Sequence, residues 1–289
     1  MTKTGTKANR GTGRRASAVH ILLPLVVILA LAAVISELRR PAERTPEYVE
    51  VNDGVNQITI TPAEGVAVSH LTEKDFAGQD DVVTYTGGDY TVRQGIDVSV
   101  YQQEIDWSQV AADGVEFAII RLGYRGSTEG QLNTDAWFET NLQGAREAGL
   151  AVGVYFFSQA TDEGEAAAEA DYVLYILDGR TPDLPVFFDW EPVETPDART
   201  ADMDGGTVSR CAEAFCRRIT LGGLRAGIYF NRQQGYYDYD LAALSDYAFW
   251  VSDPNCWTDF YYAVSLWQYS FTGRVAGITG NVDRNMLFE

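Results

Sequence analysis

From residue 95 onward, short apolar runs rich in β-branched and aromatic residues recur along the chain, separated by stretches with helical spacing. The runs at 96–99, 117–122, 151–157, 185–190, 226–230, 248–251, 265–269 and 285–288 predict strands. Between them, 133–148 and 163–177 carry helix-forming residues, 207–221 has helical periodicity, and 106–112 fits a short helix. Repeated strand–helix units put the chain in the α/β class, with a mainly parallel sheet and helices outside it. Eight candidate strands predict a modified (β/α) barrel over 93–289, on fewer residues than the roughly 250 such barrels commonly take. Several later connections are too short for a full helix. An open doubly wound sheet is the alternative, but no glycine-rich dinucleotide turn follows the first strand.

The pattern before residue 93 is different. Residues 1–15 carry Lys3, Lys7, Arg10, Arg14 and Arg15 and no acid, and an apolar run follows over 16–36. Roughly twenty apolar residues suffice to cross a bilayer, and a basic flank stays in the cytoplasm. The expectation is a single-pass transmembrane helix with a basic cytoplasmic tail and the remainder outside the cell membrane. A cleaved signal peptide is the competing reading, because Ala30, Ala32 and Ala33 supply small residues near the end of the run; the protein is then secreted. Residues 37–92 are polar and acidic without long periodicity. They read as an extracytoplasmic spacer ending in a small hairpin at 84–92 around Gly87-Gly88.

Composition narrows the chemistry. With 41 acidic against 22 basic side chains and a net charge of -19, nucleic acid is not an expected partner. After Lys74 there is neither lysine nor histidine. Histidine-based triads, histidine-rich zinc sites, Schiff-base lysines and phosphate-loop lysines are excluded from the barrel. Proton transfer there falls to carboxylates, a chemistry that needs no cofactor and no metal and points first to glycoside hydrolysis. Cys211, Cys216 and Cys256 read as small apolar residues, with a bridge from Cys256 to either of the others as the alternative.

A barrel carries its site at the C-terminal ends of its strands. Asp97 follows the first predicted strand, Asp189 and Glu191 the fourth and Asp253 the sixth, while Asp283 precedes the last. Tyr155, Tyr229, Trp250, Trp267 and Gln268 lie on or near strand ends and are candidate substrate contacts; each ring could equally be core. In LPVFFDWEP (184–192), alternation sets Phe187, Asp189 and Glu191 on one face and Phe188 and Trp190 on the other. Two carboxylates that close raise at least one pKa, keeping an acid protonated near neutral pH. Arg121 reads as an ion-pair partner of the acidic floor. Tyr236, Tyr237 and Tyr239, among aspartates, read as a substrate rim or as ordinary surface.

These residues bring out a likeness. GIDVSV (95–100) followed by YQQEIDW (101–107) resembles the opening of glycoside hydrolase family 25, the lysozymes that act as N-acetylmuramidases. FAIIRLG (117–123), GVYFFS (153–158), PVFFDWE (185–191), GIY (227–229), FWV (249–251), LWQY (266–269) and VDRN (282–285) continue the match over about 93–289. The resemblance implies a modified β/α barrel that cleaves the β-1,4 bond between N-acetylmuramic acid and N-acetylglucosamine in peptidoglycan glycan strands. It implies Glu191 as general acid, Asp189 as the group that orients the N-acetyl group or stabilises charge at the anomeric carbon, and Asp97 and Asp283 as the rest of the acidic floor. The alternatives are a chitinase-like hydrolase of another N-acetylhexosamine and a catalytically silent wall-binding protein. The four acids, all present, weigh against the silent reading.

Overall fold

The computed structural model describes residues 1–2, 47–79, 82–195 and 197–289. The basic tail from residue 3 and the apolar run at 16–36 lie outside them. Among the described residues no helix is long and apolar enough to cross a membrane. Residues Tyr48–Glu289 form one compact unit.

Two antiparallel hairpins open that unit: β1 (Val49–Asn52) with β2 (Gln57–Ile60), and β3 (Phe76–Gln79) with β4 (Val82–Tyr85). The barrel follows, with β5 (Val92–Val98), α1 (Trp107–Ala112), β6 (Phe117–Arg125), β7 (Leu132–Thr134), α2 (Phe138–Glu147), β8 (Ala151–Ser158), α3 (Glu163–Leu177) and β9 (Val186–Trp190). After these come α4 (Gly205–Leu221), β10 (Ala226–Asn231), α5 (Arg232–Tyr237), β11 (Ala248–Ser252), β12 (Leu266–Gly273) and β13 (Val282–Phe288). The eight expected strands are all present. They close in the order β5-β6-β8-β9-β10-β11-β12-β13, with β7 as a short antiparallel addition to the extended end of β6. Helix starts follow local chemistry: Asp106, Asp162 and Asp204 accept backbone N–H groups at the starts of α1, α3 and α4.

Seven barrel strands run parallel, and β13 runs antiparallel to both β12 and β5. Reversal puts the start of β13 at the same barrel end as the finish of the others. Asp283, placed ahead of the predicted strand 285–288, falls at the start of β13 and is the cross-strand partner of Asp97.

Alternation separates two cores. Phe117, Ile119, Phe187, Tyr229, Trp250, Leu266 and Leu287 fill the barrel interior, while Ile120, Phe156, Phe188, Trp190, Phe230 and Trp267 pack outward in the larger cluster that includes the helices. Glycines make the interior fit. A Cβ at Gly95 would sit 2.3 Å from the Phe117 ring, and one at Gly227 2.4 Å from the Phe187 ring.

The segment before the barrel differs from the expected spacer. Its second hairpin is β3–β4, and residues after Tyr85 lead into β5 instead of turning back at Gly87-Gly88. Neither of those glycines takes a positive φ, and Gly87 lies under the Tyr85 ring, where a Cβ would meet the hydroxyl at 2.4 Å. Phe76 and Tyr85 cover the outside of the barrel, in edge-to-face contact with Trp267 and Phe288. Residues 67–69 add backbone pairing to Tyr261–Ala263 through bonds from Ser69 and Ala263.

Candidate active site

Asp97, Asp189, Glu191 and Asp283 line one cavity of about 270 Å³ at the C-terminal end of the barrel, together with Ser99, Tyr101, Arg121 and Tyr155. Three strands deliver the acids: β5 carries Asp97, β9 carries Asp189 and ends at Trp190 just before Glu191, and β13 carries Asp283 as its second residue.

Asp97 is held from below. Its Oδ2 accepts from Asn285 Nδ2 at 2.7 Å and from Gln268 Nε2 at 2.8 Å. Tyr229 donates to Gln268 Oε1 at 2.7 Å, and Trp250 Nε1 to Asn285 Oδ1 at 2.8 Å. Both amides are thereby fixed with their nitrogens toward the carboxylate. Burial pushes Asp97 up to about 6, against the pull of those bonds. Asp283 shares a hydrogen bond with Asp97 and is pushed up to about 8, by burial first and by the charges of Asp97 and Glu191 after it. The two carboxyls hold a proton between them near neutral pH.

Asp189 is 4% exposed, and its Oδ1 has no hydrogen-bond partner among the described residues. Burial, then Glu191 and Asp97, raise its pKa well above the carboxylate range, with Arg121 opposing. A buried acceptor left without a partner costs about 1–3 kcal/mol, so something outside the protein is the expected partner. Glu191 is exposed at the mouth, and loss of solvation from the surrounding walls, with the charge of Asp97, raises its pKa also. Two buried glutamine amides fix the backbone around it. Gln234 donates to the Trp190 carbonyl at 2.9 Å, and Gln159 donates to the Glu191 carbonyl at 3.0 Å while accepting from Thr200 at 2.6 Å.

The five expected substrate contacts divide. Tyr155 lines the cavity and is the one of the five that does. Tyr229, Trp250 and Gln268 lie a layer beneath, each 8% exposed or less, as the hydrogen-bonded support just described. Trp267 has to be corrected: it points outward from β12, is fully buried beneath Phe76, and donates to the Asp253 carbonyl. Alternation decides this, since its neighbour Gln268 takes the inward position. Asp253 is bound to Arg232 at 3.2 Å and does not line the cavity. Arg121 pairs with Asp135 at 2.8 Å instead of the acidic floor and stacks on Tyr101 and Tyr124. Asn285, Gln159 and Gln234 were not singled out in the sequence, because nothing local marks a buried amide whose partners lie far away in the chain. Cys211 and Cys216 are buried in α4 and Cys256 is exposed, all as free thiols.

The model of glycosyl hydrolases family 25 matches residues 96–278. This chain belongs to that family. Lysozyme M1 of Streptomyces globisporus is 31% identical over 244 residues, covering 78% of each chain. The autolytic lysozyme of Clostridium acetobutylicum is 29% identical over 201 residues, covering 68% of this chain and 56% of that one. The crystal structure of the bacterial lysozyme from Streptomyces coelicolor superposes with a TM-score of 0.55 at 27% identity, covering 67% of this chain and 90% of the other. With family membership comes the activity: the chain is a glycoside hydrolase of the lysozyme kind, acting on peptidoglycan.

Proposed function

We propose that Glu191 is the general acid that protonates the leaving oxygen as the β-1,4 bond between N-acetylmuramic acid and N-acetylglucosamine breaks. Asp189 orients the substrate's N-acetyl group and stabilises charge at the anomeric carbon, while Asp97 and Asp283 tune both acids. The observation that carries this reading is the contrast between the two carboxyls of one strand end. Asp189 is buried with an oxygen unpartnered, and Glu191 stands at the mouth with a raised pKa. An acid so placed keeps its proton until the glycosidic oxygen needs it, and the buried acceptor meets an amide N–H there. Tyr155 is the aromatic wall for the sugar. The reaction calls for neither cofactor nor metal.

The test is digestion of purified peptidoglycan with mass analysis of the new reducing ends. Muramic acid at those ends is the expected result, and glucosamine there would overturn the bond assignment. Glu191→Gln is expected to lower turnover by about 10²-fold or more, because the amide has no proton to give. Full activity in that variant would remove Glu191 from its role.

Residues 16–36 are proposed to hold the enzyme at the cell membrane with a cytoplasmic tail before them. The basic flank and an apolar run long enough to span support this. The catalytic unit then lies outside, beside the glycan strands it cuts. Fractionation tests it: the full chain is expected to sediment with membranes and to come off only with detergent. Mature protein free in the medium and beginning near Ala33 or Ser36 would show a cleaved signal instead.

A further inference from the structure

A second groove opens on the catalytic face, further round the barrel from Glu191. It measures about 320 Å³, and one wall is the tip of the β1–β2 hairpin. Strand register locates it. Tyr229 of β10 is level with Asp189 of β9, and Asn231 is level with Ser252 of β11. Asn231 therefore stands one strand from Glu191 and Ser252 two, at about 4.8 Å per strand. Both line the groove. Ser252 also reaches the hydroxyl of Tyr229, which bonds Gln268 in the network under Asp97. The groove thus lies beside the acid-lined cavity on the barrel rim, one to two strands from Glu191.

Its outer wall is not part of the family domain, whose match begins at residue 96. The hairpin tip is nevertheless fastened to the barrel. Arg232, 5% exposed and ion-paired with Asp253 and Asp259, donates to the Asn52 carbonyl. Tyr237 donates to Asp53 Oδ2 at 2.7 Å. The turn itself is built in, with Gly54 at φ 99° and Asp53 Oδ1 accepting from the Val55 and Asn56 amides.

The lining holds two carboxylates that are already bonded, Asp53 by Tyr237 and Asp253 by Arg232, and is otherwise uncharged and rich in donors. Asn52, Asn231 and Asn255 spend their side-chain oxygens on backbone N–H groups of Gly54, Gln234 and Cys256. Their amide nitrogens, and that of Gln233, donate to no protein group among the described residues. Arg232 Nε, buried at this groove, also lacks a partner. Its charge is already matched by two aspartates, so the groove has no free cation to select an anion. Unspent amide donors beside a hydroxyl suit the hydroxyl and acetamido oxygens of an uncharged sugar face.

We propose that the β1–β2 hairpin and the ends of β10 and β11 form an additional subsite that grips the glycan strand beyond the sugars flanking the cleaved bond. This rests on the muramidase reading of the acid cavity. The test compares kcat/KM on long, uncrosslinked glycan strands with that on a fragment of two disaccharide units, using the full chain. In Gln233→Ala/Asn255→Ala the ratio of long to short is expected to fall about tenfold, as for two lost hydrogen bonds. Val55→Trp, at an exposed position on the hairpin wall, narrows the groove and lowers the same ratio. An unchanged ratio in both variants with active wild type overturns the subsite alone. Wild type that cleaves neither substrate overturns the muramidase reading and the subsite with it.

Discussion

At the residue scale, burial in the cavity disfavours the charged forms of its carboxyls, and that has a cost in stability with a definite pH dependence. Asp283 sits near 8 in the folded protein against an ordinary 3.8. Between those values the native state still holds a proton that the unfolded chain has released, so stability falls as pH rises from about 4 to about 8. Below about 4 both states are protonated and the cost vanishes. Asp283→Asn is expected to stabilise the fold by about 1 kcal/mol at pH 7.5, or 2–4 °C in Tm, and by nothing at pH 4, as melting curves at the two values would show. The same variant is expected to lower activity, since the proton shared with Asp97 is gone. A melting temperature that drops at pH 7.5 would mean that Asp283 contributes to packing more than it strains it. Asp97, Asp189, Glu191 and Asp283 were all legible in the sequence, because strand alternation and barrel polarity are local and general rules. The layer beneath was not: Gln268 and Tyr229 read as sugar contacts, whereas Tyr229 donates to Gln268 and Gln268 to Asp97, across 39 and 171 positions.

Elements carry the next level of control. β9 ends at Trp190, so Glu191 stands just past the ladder that would otherwise fix it, and Pro192 follows with no N–H to give. Gln159, from the end of β8, and Gln234, from α5, replace the missing ladder bonds. Gln159→Leu would leave the Glu191 carbonyl and the Thr200 hydroxyl unpaired, costing about 1–3 kcal/mol of stability. It is expected to reduce kcat by about tenfold or more with KM nearly unchanged, because a displaced acid misses the leaving oxygen more than it misses the ground state. Equal falls in kcat and kcat/KM would support this, and a rise in KM alone would refute it. Strand positions were readable because each run is apolar and flanked by turn residues. The helix at 163–177 was read to its ends, since Asp162 caps it and Leu177 closes its apolar pattern. The region 133–148 was read as one helix, but its first residues form β7 and pair with β6, a long-range contact that periodicity does not report. α5 was missed because its six residues, RQQGYY, include a glycine and no aliphatic side chain to mark a helical face, unlike the equally short α1.

For the whole molecule, the segment before the barrel is part of the fold. Phe76, Tyr85 and Tyr90 gather around Phe288, and Phe76 also caps Trp267. Phe76→Ala is expected to cost about 2–3 kcal/mol, less than a fully buried phenylalanine because the ring is half-buried, while leaving kcat within about twofold. Denaturant unfolding with the activity assay would decide; a large loss of activity would tie the hairpin to the site instead. A hairpin docked on the main domain was expected from the sequence, but at 84–92 and not at β3–β4, since a hairpin that contributes only a few rings to another core has no apolar run of its own. The reversed strand β13 has a different consequence, one for the order of assembly. The barrel closes by zipping β13 onto β5, nearly two hundred positions earlier, and that single seam brings Asn285 and Asp283 to Asp97. Contacts so distant in sequence form late, because the loop must close before they reward it. A chain still being synthesised, or cut before β13, lacks Asp283 and Asn285, so Asp97 misses both its cross-strand carboxyl and one of its amide donors. Hydrolysis of peptidoglycan is therefore expected only once that strand is in place, and an assay of a chain ending after β12 would check it.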